Sequence, residues 1–126
     1  MIIILGSQKG GCGKSTIATN LAAVAAHNGR DVVLLDTDSQ CTSATWAADR
    51  EETSASPVAC VQRVGNITAT AKELDTKYDL VIIDAGGRDS QELRTGLLAA
   101  DLLISPFKPS QADLDTIDSV ASVIED

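Results

Sequence analysis

Residues 9–16 read KGGCGKST and follow the apolar run MIIIL with only GSQ between them. That order of parts constrains the fold more than any other feature of the chain. A short, continuous apolar run suits a central parallel strand covered on both faces. Gly10, Gly11 and Gly13 let the backbone curl with its N–H groups turned inward, where side chains would obstruct it. A helix is expected to start at Lys14 or Ser15, which sets the curl against the positive end of the helix dipole and makes an anion site. In such a site Cys12 contributes its backbone N–H, Lys14 reaches the β- and γ-phosphates of a nucleotide, Ser15 offers its hydroxyl to Mg²⁺, and Thr16 backs the cradle. The full phosphate-loop pattern has Gly at position 8; this chain has Gln8, so the loop is a variant form.

The remainder of the chain supplies a matching frame. The helix after the loop is expected to bury Ile17, Leu21, Val24 and Ala25 and to end at Asn28-Gly29. DVVLLD (31–36) reads as a second buried strand, followed by a short helix over 42–48 and a solvated loop, DREETSASP, over 49–57. VACVQRV (58–64) reads as a weaker strand, after which Asn66 caps a helix burying Ile67, Ala71 and Leu74. YDLVIID (78–84) and DLLISPF (101–107) are the next strands, with a helix over 90–99 between them. A last helix opens at Ser110 with Leu114, Ile117, Ala121 and Ile124 facing inward. This alternation predicts an α/β fold: a doubly wound, mostly parallel sheet with helices on both faces and function at the carboxyl ends of its strands. No strand follows the last helix, so the sheet is expected to be cut short at its C-terminal side.

A chain of 126 residues allows one packed core, so residues 1–126 are read as a single domain. Phe, Trp and Tyr occur once each, which leaves few rings for stacking nucleic-acid bases. The formal charge of −8 also sets this segment against phosphate backbones. Cys12, Cys41 and Cys60 are too widely spaced for a zinc knuckle, and an odd number suits a reducing cytosol better than a disulfide scaffold. MIIIL is far shorter than the ~20 apolar residues of a membrane span and has no basic residue before it.

Asp36 lies about 20 residues beyond the glycines, as a ribose-binding acid would in a dinucleotide site, but Thr16 stands where that fingerprint has its third Gly. Lys9 is a second lysine on the loop rim. It is either a solvated charge or a group reaching phosphates held by a second copy, as an arginine finger does. Two strands end in aliphatic residues and an acid, at Asp36 and at Asp84, with Asp38 just beyond the first. Both reach the loop's edge of the sheet, where metal-assisted phosphoryl transfer would place its carboxylates.

KGGCGKST resembles the deviant Walker A motif of the ParA/MinD-type P-loop ATPases, in which the first lysine crosses an ATP-sandwich dimer. VVLLDTDSQ is similar to that family's switch I segment, YDLVIID to its Walker B strand, and ADLLISPFKPSQADL to a segment of small single-domain plasmid-partition ATPases. The resemblance implies ATP and Mg²⁺ as cofactors. It implies catalytic roles for Lys9, Lys14 and Asp38, and nucleotide contacts from Lys9 through Thr16. It also implies a metal site built from Ser15, Asp36, Asp38 and Asp84, with Asp84 holding a metal-bound water, Asp38 positioning the attacking water, and Asp36 supporting them while fixing Lys14 or Ser15. Ser39 replaces the usual Pro of switch I, and Gly86 and Gly87, followed by Arg88, are expected to make the second switch more mobile.

The implied function is a slow, partner-stimulated ATPase that dimerises on nucleotide in plasmid or chromosome partitioning. The implied partners are a second copy, a centromere-binding protein and non-specific DNA bound through a further C-terminal region, with no membrane, in a bacterial cytoplasm at the nucleoid. The alternatives are an ATP-dependent ligase of the dethiobiotin or cobyrinic-acid type and a nucleotide-binding fragment with little turnover. No Cys pair is placed for an iron–sulfur carrier.

Overall fold

The computed structural model of the chain describes residues 1–6, 13–86, 90–106 and 124. Strands β1 (Ile2–Leu5), β2 (Val32–Asp36), β3 (Ala59–Gln62), β4 (Leu80–Asp84) and β5 (Leu102–Ile104) alternate with helices α1 (Lys14–His27), α2 (Thr42–Glu51), α3 (Thr68–Lys77) and α4 (Gln91–Leu97). The strands form one sheet in the order β3-β2-β4-β1-β5, and every pairing is parallel. The chain steps toward one edge through β1, β2 and β3, then back toward the other through β4 and β5. Because parallel crossovers are right-handed, that reversal puts α1 and α2 on one face and α3 and α4 on the other.

Alternate residues of each strand point to opposite faces, so the core is split in two. Ile3, Leu5, Leu34 and Ile82 pack with Ala18, Ala22 and Ala25 of α1, and Trp46 lies against this layer. Ile2, Ile4, Val33, Leu35, Val81 and Ile83 pack with Ile67, Ala71, Leu74 and Leu93 on the other side. The central strands β1 and β2 are buried along their whole length, whereas β3 is exposed at both ends, as an edge strand without a second neighbour must be.

Four local expectations are corrected. Of the expected inner face of α1, Ala25 is buried and Ile17 and Leu21 are half-buried against the same core layer, but Val24 is 61% exposed, and Ala18 and Ala22 are the fully buried positions. Small side chains let the helix lie close over the sheet, and that proximity outranks hydrophobicity. Helix α2 continues past Ala48 to Glu51. Its extra turn is held by Arg50, whose guanidinium lies 5.3 Å from the Trp46 ring centroid and donates to the Ser56 carbonyl at 2.6 Å. Ile67, not Asn66, flanks α3 directly; the Asn66 side chain instead accepts the Thr68 N–H at 3.1 Å. The last expected helix, from Ser110, lies outside the described residues, except that Ile124 is 56% exposed rather than inward-facing.

Candidate active site

The parallel register brings three chain segments to one edge of the sheet. Leu5 pairs with Asp84 and Asp36 pairs with Asp84, so the strands that precede the loop and the two acidic strand ends lie side by side. Helix α1 begins over this edge. Its N-cap is Gly13, with φ 91°, a left-handed conformation open to glycine at little cost, and no side chain caps the helix. The first-turn N–H groups of α1 are therefore left to another acceptor, as in an anion site.

Asp84 is the centre of the arrangement and is fully buried. Its Oδ2 accepts two hydroxyls, from Ser15 at 2.6 Å and from Ser43 at 2.7 Å. Its Oδ1 has no hydrogen-bond partner among the described residues, although it too is buried. A buried carboxylate oxygen without a donor is costly, and a cation or a cation-bound water would satisfy it. Lys14, only 8% exposed, donates from Nζ to the Ala85 carbonyl at 2.6 Å, one residue beyond Asp84. Thr16 is exposed; its carbonyl accepts the Thr19 hydroxyl at 3.2 Å.

The segment after β2 is fastened to the segment after β4. The Thr37 N–H and hydroxyl both donate to the Asp84 carbonyl, at 3.1 and 3.0 Å, and the Gly86 N–H donates to the Thr37 hydroxyl at 3.0 Å. Gly86 is buried, and a Cβ there would stand 3.0 Å from the Thr37 carbonyl oxygen and 3.1 Å from Asp38 Cα. Gly86 is thus a close-packing glycine in the described structure.

Asp36 also differs from expectation. Its carboxylate touches neither Lys14 nor Ser15: Oδ1 accepts the Asp38 N–H at 3.0 Å and Oδ2 the Ala44 N–H at 2.8 Å. It braces the loop into α2. Burial pushes its carboxyl above the ordinary range; the two N–H donors oppose that shift, and the Asp84 and Asp38 charges add to it. Asp38, half-buried, accepts the Gln40 N–H at 2.9 Å, and its carbonyl accepts the Cys41 N–H at 3.0 Å. Cys41 is held at φ 56° by this turn. Cys41 and Cys60 are free thiols, and burial pushes Cys60 up to about 11. A cavity of about 420 Å³ opens beside the turn, lined by Asp36, Asp38, Cys41, Gln62, Arg63 and Val64 among others.

Of the expected site residues, Lys14, Ser15 and Asp84 meet directly around the end of β4, and Asp36 and Asp38 stand on the adjoining strand end. Lys9, Gly10, Gly11, Cys12, Gly87 and Arg88 lie outside the described residues. Ser43 and Thr37 were not foreseen. The stretch TDSQCTSAT holds five Ser and Thr residues, and nothing local marks the two that reach Asp84 across a sequence gap of more than forty residues.

Comparison with known proteins adds a family. Residues 3–125 match the CobQ/CobB/MinD/ParA nucleotide binding domain. The chain is 31% identical to the protein ParA of Rhizobium radiobacter, over 89% of this chain and 50% of that protein. It superposes with a TM-score of 0.83 on a plasmid partition protein of Borrelia burgdorferi, at 20% identity, covering 98% of this chain and 73% of the other. A cobyrinic acid a,c-diamide synthase of Mycobacterium smegmatis, solved with bound ADP and magnesium, gives a TM-score of 0.76 at 20% identity, covering 98% of this chain and 68% of that one. The chain spans between 50% and 61% of the length of the curated relatives it matches.

Proposed function

The chain belongs to the CobQ/CobB/MinD/ParA nucleotide binding domain family, and from that premise we propose that it binds and slowly hydrolyses Mg²⁺-ATP as a dimerisation switch in DNA partitioning. The observation that carries this reading is the meeting of Lys14, Ser15 and Asp84 at the start of α1, where Asp84 Oδ1 has no partner among the described residues. These groups fit the ligand. Mg²⁺ is usually held by one or two carboxylates together with phosphate oxygens, which is what a single buried acid and a hydroxyl beside an anion site offer. When bound, the ion would neutralise charge on the phosphate oxygens.

The chain's own residues then divide the work. The Lys14 ammonium places a positive charge against the phosphates, and the Ser15 oxygen would be available to the cation while its hydroxyl proton is donated to Asp84 Oδ2. Asp84 would hold the cation or a water bound to it through Oδ1. Asp38 orients the attacking water, and Asp36 keeps Asp38 in place through its backbone amide. Lys9 reaches the nucleotide of a second copy. Dimer formation would gate contacts with DNA and with a centromere-binding protein, in the cytoplasm; among the described residues no helix is long and apolar enough to cross a membrane.

Lys9→Ala is expected to keep ATP binding and to lose nucleotide-dependent dimers, as read by sedimentation or light scattering. ATP-driven dimers of normal yield in that variant would remove the trans role. A second reading, an ATP-dependent ligase, is favoured by the cavity beside Asp38. Turnover that appears only when a small carboxylate is supplied would select it. Measuring ATP hydrolysis by this chain and by a version extended to the length of its relatives, with and without DNA, separates both from a binding segment with little turnover.

A further inference from the structure

We propose that Ser43 is a positioning residue for the cation: its hydroxyl fixes the Asp84 carboxylate so that Oδ1 is presented to Mg²⁺, tying the start of α2 to occupancy of the metal site. The inference rests on the Mg²⁺-nucleotide reading above and adds a residue to it. Ser43 is fully buried in the first turn of α2 and donates to Asp84 Oδ2 at 2.7 Å. The same oxygen accepts Ser15 at 2.6 Å, and Oδ1 is left with no partner among the described residues.

A buried carboxylate rotates about its Cβ–Cγ bond unless donors hold it. With two donors on one oxygen, rotation would break both bonds, so the other oxygen keeps a fixed direction. The two donors are not equivalent. Ser15 belongs to the helix that follows the phosphate loop, and its oxygen is the one offered to the cation. Ser43 comes from the opposite side, on the helix after Asp36 and Asp38, and has no role in gripping phosphate. It can hold Asp84 whether or not the loop is filled. The backbone around it is already braced, because Asp36 Oδ2 accepts the N–H of Ala44, the next residue. The hydroxyl therefore arrives at Asp84 with little freedom left to lose, as a second donor behind a metal-binding carboxylate should.

The test is a Mg²⁺ titration of the binding of a fluorescent ATP analogue to the full chain, repeated for Ser43→Ala, Ser43→Cys and Ser43→Thr. Ser43→Ala and Ser43→Cys are expected to raise the Mg²⁺ concentration at half-saturation by about tenfold, the scale of one hydrogen bond to a charged acceptor. Affinity for the analogue in EDTA should stay within about twofold of wild type, and Ser43→Thr, which keeps the hydroxyl, should restore the midpoint. Thermal unfolding of each variant checks that it is folded, and Ser43→Cys carries the test if the smaller alanine destabilises the site. An unchanged Mg²⁺ midpoint in a folded variant overturns the proposal. So does an equal loss of affinity in EDTA, which would mean general damage to the pocket. If wild type itself fails to bind the analogue, the nucleotide reading fails instead, and the two failures are distinct.

Discussion

Among the described residues Asp84 has one oxygen with two donors and one with none, and that asymmetry sets what substitutions there will do. An asparagine retains an oxygen that can accept both serine hydroxyls, while giving up the charge. Asp84→Asn is therefore expected to leave the free chain's stability within about 1 kcal/mol of wild type and to abolish any extra stabilisation by Mg²⁺ with nucleotide. Asp84→Leu removes the acceptor and leaves the Ser15 and Ser43 hydroxyls unpaired, the latter fully buried, with an expected loss of about 2–4 kcal/mol. Urea unfolding of the two variants, with and without the ligand, reads both effects. A large loss in the asparagine variant would show that the charge, not the acceptor, holds the site. At this scale the sequence was informative where a motif fixed the spacing, as for Lys14, Ser15 and Asp84. It was silent where a contact spans the fold, as for Thr37 and Ser43. It misdirected for Asp36, whose partners are backbone amides of its own loop and not the lysine or serine of the phosphate segment.

Helices carry the site by lying close to the sheet, and closeness here is made by small residues. Ala18, Ala22 and Ala25 bring α1 down onto β2 and β4, and Gly96 lets α4 lie close to the other face. A Cβ at Gly96 would meet Ile4 Cδ1 at 2.6 Å and Ile67 Cδ1 at 3.1 Å, both ends of fully buried side chains. Gly96→Ala would gain about 1 kcal/mol in helix propensity, yet overpacking of this kind typically costs about 1–3 kcal/mol. The expected net result is a destabilised chain, measured by chemical unfolding; a more stable variant would mean that the isoleucines repack freely. Element identity was legible in the sequence because each strand is a short aliphatic run between turn signals. The buried helix faces were less so. A hydrophobic ranking favours Ile17, Leu21 and Val24 in α1, but contact distance selects the alanines, and that distance is a property of the packed layers.

Taken whole, the chain carries a formal charge of −8 on 126 residues, so its long-range field repels a phosphate backbone. The expectation is that this chain alone does not retard duplex DNA even at low salt, where non-specific binding is strongest. Retardation that weakens steeply as salt rises would show that a local basic surface overcomes the net charge. The doubly wound plan itself was readable from the alternation of runs, because a strand–helix rhythm with right-handed crossovers leaves few other arrangements. The strand order was not. It follows from which faces must be covered once all the helices are present.

Strand order also decides what holds the residues around Asp84 together. β4 lies between β1 and β2, so these two strands do not pair with each other in the sheet. The slot between them is filled by a segment from later in the chain. Asp84, which ends that segment, is also the residue on which Ser15 and Ser43 converge. The central pairings of the sheet and the hydrogen bonds gathered on Asp84 therefore depend on one segment, and a change that unseats β4 is expected to lose both.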